Sequence, residues 1–195
     1  MKLKFAALLV AMTLSTSAWA DQNTAYIDQV GNDNIADVFQ GGDRNVAEVY
    51  QGGDENVALV DQGGSDNQAY IDQSGNRNFA DVSQGGDYNY ADVDQSGNDN
   101  SAIVDQGGDY NEALVEQSGD YNEAEVYQDG DYNLADVLQS GDYNLAIVDQ
   151  SGSDNVTYVE QTGDFNEADV LQAGNENLAE VFQSGDGNTA FVTQF

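Results

Sequence analysis

One residue recurs through this chain with a fixed step of eleven. Gln29, Gln40, Gln51, Gln62, Gln73, Gln84, Gln95, Gln106, Gln117, Gln128, Gln139, Gln150, Gln161, Gln172, Gln183 and Gln194 follow one another without a slip. Six residues before each stands an asparagine: Asn23, Asn34, Asn45, Asn56, Asn67, Asn78, Asn89, Asn100, Asn111, Asn122, Asn133, Asn144, Asn155, Asn166, Asn177 and Asn188. Two after each Asn is Ala, except Thr157, and four after it is Val or Ile. Two after every Gln but the last is Gly. The unit N-x-A-x-[VI]-x-Q-x-G-x-x thus repeats sixteen times. Residues 21–195 form one repeat domain with no separate domains or linkers, since such units bury an apolar face only by stacking.

The spacing within the unit decides the secondary structure. Asn, Ala, Val and Gln occupy every second position, which is the alternation of a strand; a helix needs apolar residues three and four apart. Each unit reads as a seven-residue strand of roughly 23 Å and a four-residue turn, in which Gly supplies the positive φ. The locked residues share one face and are expected inside. Buried amides need partners for both oxygen and NH2. Stacking provides them when each amide oxygen accepts from the amide of the next rung, as in the Asn and Gln ladders of stacked sheets. The sixteen Gln and sixteen Asn named above are therefore the expected inward ladders.

The outward residues give the number of strands per coil. Flanking the valine, the acid alternates sides, as in "ADVLQ" at 135–139 against "AIVDQ" at 146–150. Units two apart are almost always of opposite type, whereas units one or three apart match about half the time. Like charges on neighbouring strands are destabilising, so strands two units apart are stacked neighbours. This predicts an all-β solenoid with two strands per 22-residue rung, about eight rungs and a height of roughly 38 Å, stacking further into cross-β. One run, Asp72, Asp94 and Glu116, breaks the rule. In the turns, Tyr88, Tyr110 and Tyr132, and Tyr121, Tyr143 and Phe165, are each 22 apart and are expected to form aromatic ladders on opposite edges. Beside them Asp87, Asp109 and Asp131, and Asp120, Asp142, Asp164 and Asp186, stack like on like, which calls for raised pKa values or bound divalent cations.

Residues 1–20 read as a secretory signal peptide: Lys2 and Lys4, an apolar stretch, then Ala18-Trp19-Ala20. After it, all 36 acids face only Arg44 and Arg77. Such a charge repels nucleic acid and anionic lipid, so neither is an expected partner. There is no Cys and no His, which removes disulfides and the commonest general base. Carboxylate pairs recur on every rung with none unique, so no catalytic site is expected, and nothing calls for a cofactor.

Repeat sequence begins at Gln22-Asn23 and stops at Gln194-Phe195, with no Pro or Lys guarding either end. Monomeric solenoids carry atypical capping repeats. The expectation is that both ends expose pairing edges and that copies join end to end into a cross-β fibre.

The unit N-x-A-x-[VI]-x-Q-x-G-x-x-N, across 22–195, resembles the curlin repeat, found in subunits of curli, the extracellular amyloid of bacterial biofilms. The resemblance implies secretion through an outer-membrane pore and polymerisation at the cell surface on a minor, nucleating curlin. It also implies that the family's inward Asn and Gln map onto the ladders above. The glycine-rich leader of the best-known major subunit is missing here, and "GDYNLA" at 130–135 is closer to the minor subunit, whose basic C-terminal end is absent. The major subunit is the better match, with the nucleator and a calcium-binding β-solenoid adhesin, suggested by "QGGD", as alternatives.

Overall fold

The computed structural model describes residues 22–195; the expected signal peptide lies outside the described residues. Alternation produces sixteen strands: β1 (Thr24–Asn32), β2 (Ile35–Gln40), β3 (Val46–Asp54), β4 (Val57–Gln62), β5 (Gln68–Asn76), β6 (Phe79–Gln84), β7 (Tyr90–Asn98), β8 (Ser101–Gln106), β9 (Glu112–Asp120), β10 (Glu123–Gln128), β11 (Leu134–Ser140), β12 (Leu145–Gln150), β13 (Val156–Thr162), β14 (Glu167–Gln172), β15 (Leu178–Ser184) and β16 (Thr189–Gln194). The odd-numbered strands form one eight-stranded sheet and the even-numbered strands another, each in consecutive order. All pairs are parallel with a 22-residue register: Gln73 lies beside Gln95 and Gln106 beside Gln128. This is a β-solenoid of eight rungs with two strands per rung, as the alternating acids require.

In three of the four outward columns beside the valines no acid neighbours another acid in the observed register. On the even sheet Asp37 meets Leu59, Asp81 meets Ile103, and Ile147 meets Asp169. The exception is also real: Asp72, Asp94 and Glu116 are consecutive neighbours. Inside, Ala and Val from both sheets make a thin core that is essentially fully buried from β3 to β14. Burying a Val side chain contributes only about 1.5–3 kcal/mol, and Ala less, so the apolar core is modest for each rung.

The strands are not uniformly seven residues. The even strands have six, and β1, β3, β5, β7 and β9 have nine because pairing runs on through the corner, with Gly75 beside Gly97. The repeat glycines supply the expected positive φ at Gly31, Gly42, Gly53, Gly75, Gly97, Gly119, Gly141, Gly163 and Gly185, with φ of 92–130°, but most glycines after the even strands do not, and a second positive-φ position appears. The left-handed conformation falls on the residue just before each Asn, and in fifteen units that residue is not glycine. It is Tyr at 88, 110, 121, 132 and 143, each with φ of 58–59°. Gly is also needed because the rungs approach too closely for a side chain, including where φ makes no demand. A Cβ on Gly86, whose φ is unexceptional, would lie 2.1 Å from the Gly108 carbonyl oxygen. On the adjacent Gly85 the nearest atom would be 3.9 Å away.

That contrast is testable within one dipeptide. Gly86→Ala is expected to cost about 1–3 kcal/mol by forcing rungs apart. Gly85→Ala is expected to stay within about 0.5 kcal/mol of the parent. Equal denaturant midpoints for the two variants would contradict the steric account.

Candidate functional site

The repeated polar residues are stacked in columns along the solenoid axis. Gln51 through Gln172 are fully buried, Gln183 is nearly so, and Gln29, Gln40 and Gln194 in the end rungs are half-buried. Every consecutive pair is linked: the Nε2 of one Gln donates to the Oε1 of the Gln 22 residues on, at 2.6–3.0 Å. The second N–H crosses the core. Gln106 Nε2 donates to the Tyr90 carbonyl at 3.0 Å, from the end of β8 to the start of β7 in the facing sheet. The same sixteen-residue step back serves each Gln from Gln40 to Gln194. Each interior amide thus holds two rungs and two sheets together.

Asn45 to Asn166 are also buried, with Asn23, Asn34 and Asn177 partly and Asn188 well exposed at the ends. Their pairing differs from the expected amide-to-amide ladder. The Nδ2 of Asn89 donates to the Gly108 carbonyl at 2.7 Å, and its Oδ1 accepts the backbone N–H of Asn111 at 2.9 Å. This amide-to-backbone staple repeats along the column from Asn23. Within these inward columns, among the described residues, direct Asn–Asn amide bonds occur only at 100–122, 122–144, 144–166 and 166–188. The Asn side chain is one methylene shorter than Gln and holds its amide against the main chain of the corner. Thr157, which replaces Ala, keeps its buried hydroxyl paired by donating to Gln172 Oε1 at 2.9 Å and accepting from Gln150 Nε2 at 3.2 Å.

At the corners, Tyr88, Tyr110 and Tyr132 stack at 4.8–4.9 Å between ring centroids, within 5° of parallel. On the opposite edge Tyr121, Tyr143 and Phe165 stack at 4.8–5.0 Å. Each stack begins two rungs after an arginine. Arg44 makes a bidentate ion pair with Asp66, and Arg77 makes one with Asp99. The guanidinium hydrogen bond holds each of these aspartates below the usual carboxylate range. Sequence reasoning missed both pairs, although the 22-residue spacing marks them. The corner aspartates do not simply face one another: each accepts a backbone N–H from the rung before, as Asp87 N–H donates to Asp109 Oδ1 at 2.8 Å and Asp120 N–H to Asp142 Oδ1 at 2.9 Å. Among the described residues, no group of three or more acids is gathered to hold a metal ion.

Several carboxyls on the outer faces are pushed upward. Burial raises Asp72, Asp81, Asp94, Asp105, Asp136 and Asp149 above the usual 3.8. At Asp94 the charges of Asp72 and Glu116 add to it.

The repeat is a known one. A sequence profile for the curlin associated repeat matches residues 42–75, 75–108, 97–130, 130–163 and 163–195. The chain belongs to the curlin repeat family. These five matches extend over most of its length, and their starts are two or three 11-residue units apart. No curated protein matches the chain. Curlin repeats and a uniform β-solenoid describe a structural protein of the curli amyloid type.

Two measurements probe these columns. Gln106→Ala strands the Gln84 amide, the Gln128 oxygen and the Tyr90 carbonyl. At about 1–3 kcal/mol for each unpaired buried group, the loss is expected to be roughly 3 kcal/mol or more. Asp105→Ala on the outer face breaks no amide column and is expected not to lower the denaturant midpoint. The second concerns pH. A carboxyl raised in the fold weakens the fold above that pKa, and stability returns as pH falls through it towards the unfolded value. Stability should therefore rise from neutral to mildly acid pH before Asp66 and Asp99, held low, begin to lose their ion pairs. Asp94→Asn should raise the neutral-pH midpoint and flatten the rise; an unchanged pH profile would contradict this.

Proposed function

We propose that this curlin-family chain is the structural subunit of an extracellular curli-like amyloid fibre, secreted and assembled by end-to-end docking of identical solenoids. The carrying observation is the complementarity of the two end rungs. At β1 and β2, Gln29 and Gln40 have no amide donor beneath them among the described residues. At β15 and β16, Gln183 and Gln194 each donate to the facing strand through Nε2 and retain a second N–H for another rung. Asn177 Nδ2, in the same last rung, is the one buried side-chain polar atom without a hydrogen-bond partner among the described residues.

A second copy placed in register on the last rung would meet these groups with the matching ends of its own ladders. The outer columns also support this join. Glu180 would lie beside Tyr26, Phe182 beside Asp28, Phe191 beside Asp37, and Thr193 beside Phe39. No acid would stack on an acid at those positions. Joining two first rungs would put acceptors on acceptors, so the expected fibre is polar. Its partners are other copies of the chain, and the family resemblance supplies a minor curlin and an outer-membrane pore. In this reading the fibre serves matrix cohesion and adhesion as the major subunit.

The expected outcome for purified protein is thioflavin-positive fibres with a lag that preformed seeds abolish. Backbone N–H groups equivalent to those of Leu178 and Thr189 donate to the next rung elsewhere in the stack, as Val156 does to Asn177 and Glu167 to Asn188. Leu178→Pro with Thr189→Pro should therefore block docking while keeping the solenoid, because proline removes only the outward donors at strand starts. A soluble β-rich variant that no longer elongates seeds is expected. Elongation at the parent rate would overturn the docking proposal.

A further inference from the structure

The aromatic corners carry chemistry that end-to-end assembly does not use. Tyr88, Tyr110 and Tyr132, and Tyr121 and Tyr143, are 46–57 % exposed, so their phenol rings reach solvent although they are stacked. Adjacent centroids lie 4.8–4.9 Å apart and the planes are 3–5° from parallel. Their backbone is fixed on both sides, since each of the five sits at φ of 58–59° immediately before a buried Asn. The rings are therefore held as neighbours by the solenoid, with part of each open to solvent. Tyr26, Tyr50 and Tyr158 are also exposed but belong to no ring pair among the described residues. Tyr70 and Tyr90 are 5.7 Å apart and tilted by 42°.

We propose that the corner tyrosine stacks are sites of oxidative cross-linking, in which Tyr88–Tyr110, Tyr110–Tyr132 and Tyr121–Tyr143 couple into dityrosine across neighbouring rungs. The oxidant is hydrogen peroxide acting through a haem peroxidase. Each of two phenols gives up one hydrogen atom, and the peroxide is reduced to two waters. The two phenoxyl radicals join through ring carbons next to the oxygen-bearing carbon, forming one C–C bond. Each joined carbon then returns its hydrogen to the phenolic oxygen, so both phenols are restored and the product is two hydrogens lighter. The third ring of the second stack is Phe165, which has no phenol and ends that series. Each link closes a loop of one rung and so limits the unfolded chain. The proposal concerns single solenoids as well as fibres and stands apart from end-to-end docking.

The test treats the folded chain with a haem peroxidase and hydrogen peroxide, follows dityrosine fluorescence, and maps linked peptides by mass spectrometry. A mixture of isotopically light and heavy chains separates links within one chain from links between chains. The expected result is light–light and heavy–heavy links at the three named pairs, which disappear as the preferred products when the chain is oxidised in denaturant. Tyr110→Phe keeps a stacking ring, as Phe165 does in the other stack, and should abolish the Tyr88–Tyr110 and Tyr110–Tyr132 links while leaving Tyr121–Tyr143. Links falling as often on Tyr26, Tyr50 or Tyr158, purely interchain links, or no dityrosine in the folded chain would each overturn the proposal.

Discussion

The structure depends on a glutamine amide that is used in two directions. One N–H runs along the axis to the next amide, and the other crosses to a carbonyl of the facing sheet. The apolar core between the sheets is only Ala and Val deep, too thin to hold them in a unique register by burial alone. A slide of either sheet would leave amides without partners in a dry interior, where each unpaired group is costly. The amide column therefore supplies the specificity that a larger core would otherwise provide, and the unbroken eleven-residue step is its signature.

The asparagine column does a related job with a different partner. Its shorter side chain secures the corner, taking both a Gly carbonyl and a backbone N–H of the next rung. The corner aspartates extend the same habit to the outside by accepting backbone N–H groups from the rung before. Charge is thereby tolerated in long like-signed columns because each carboxylate has a fixed donor. The outward columns on the strands lack that support and alternate instead, with Asp72, Asp94 and Glu116 the run where alternation fails and burial of charge is felt.

Much of this was legible in the sequence, and the limits have physical causes. Period-two placement of Asn, Ala, Val and Gln gave strands, and the swapping acids gave two strands per rung, because both signals concern which residues may be neighbours. The partner of Asn was not legible, since one methylene decides whether an amide reaches another amide or the main chain. The positive φ of Gly was legible and holds at positions such as Gly75 and Gly97, but its second, steric reason was not, because closeness between rungs leaves no mark within one unit. The left-handed position was hidden by the variety of residues that occupy it, from Tyr110 to Arg77 and Asp99. The ion pairs Arg44–Asp66 and Arg77–Asp99 become visible only once 22 residues is known to mean adjacency.

The alternation of acid and apolar residues along the outer columns makes rung number a matter of parity. Removing or duplicating one rung of 22 residues brings two members of the same class together at the new joint: in the even sheet, loss of Ile103 with its rung would set Asp81 beside Glu125. Removing or duplicating two rungs preserves every neighbour type in a strictly alternating column. A chain built this way can lengthen or shorten by recombination between its own repeats, but it is expected to do so in steps of two rungs. An even number of rungs always returns a strictly alternating column to its starting phase.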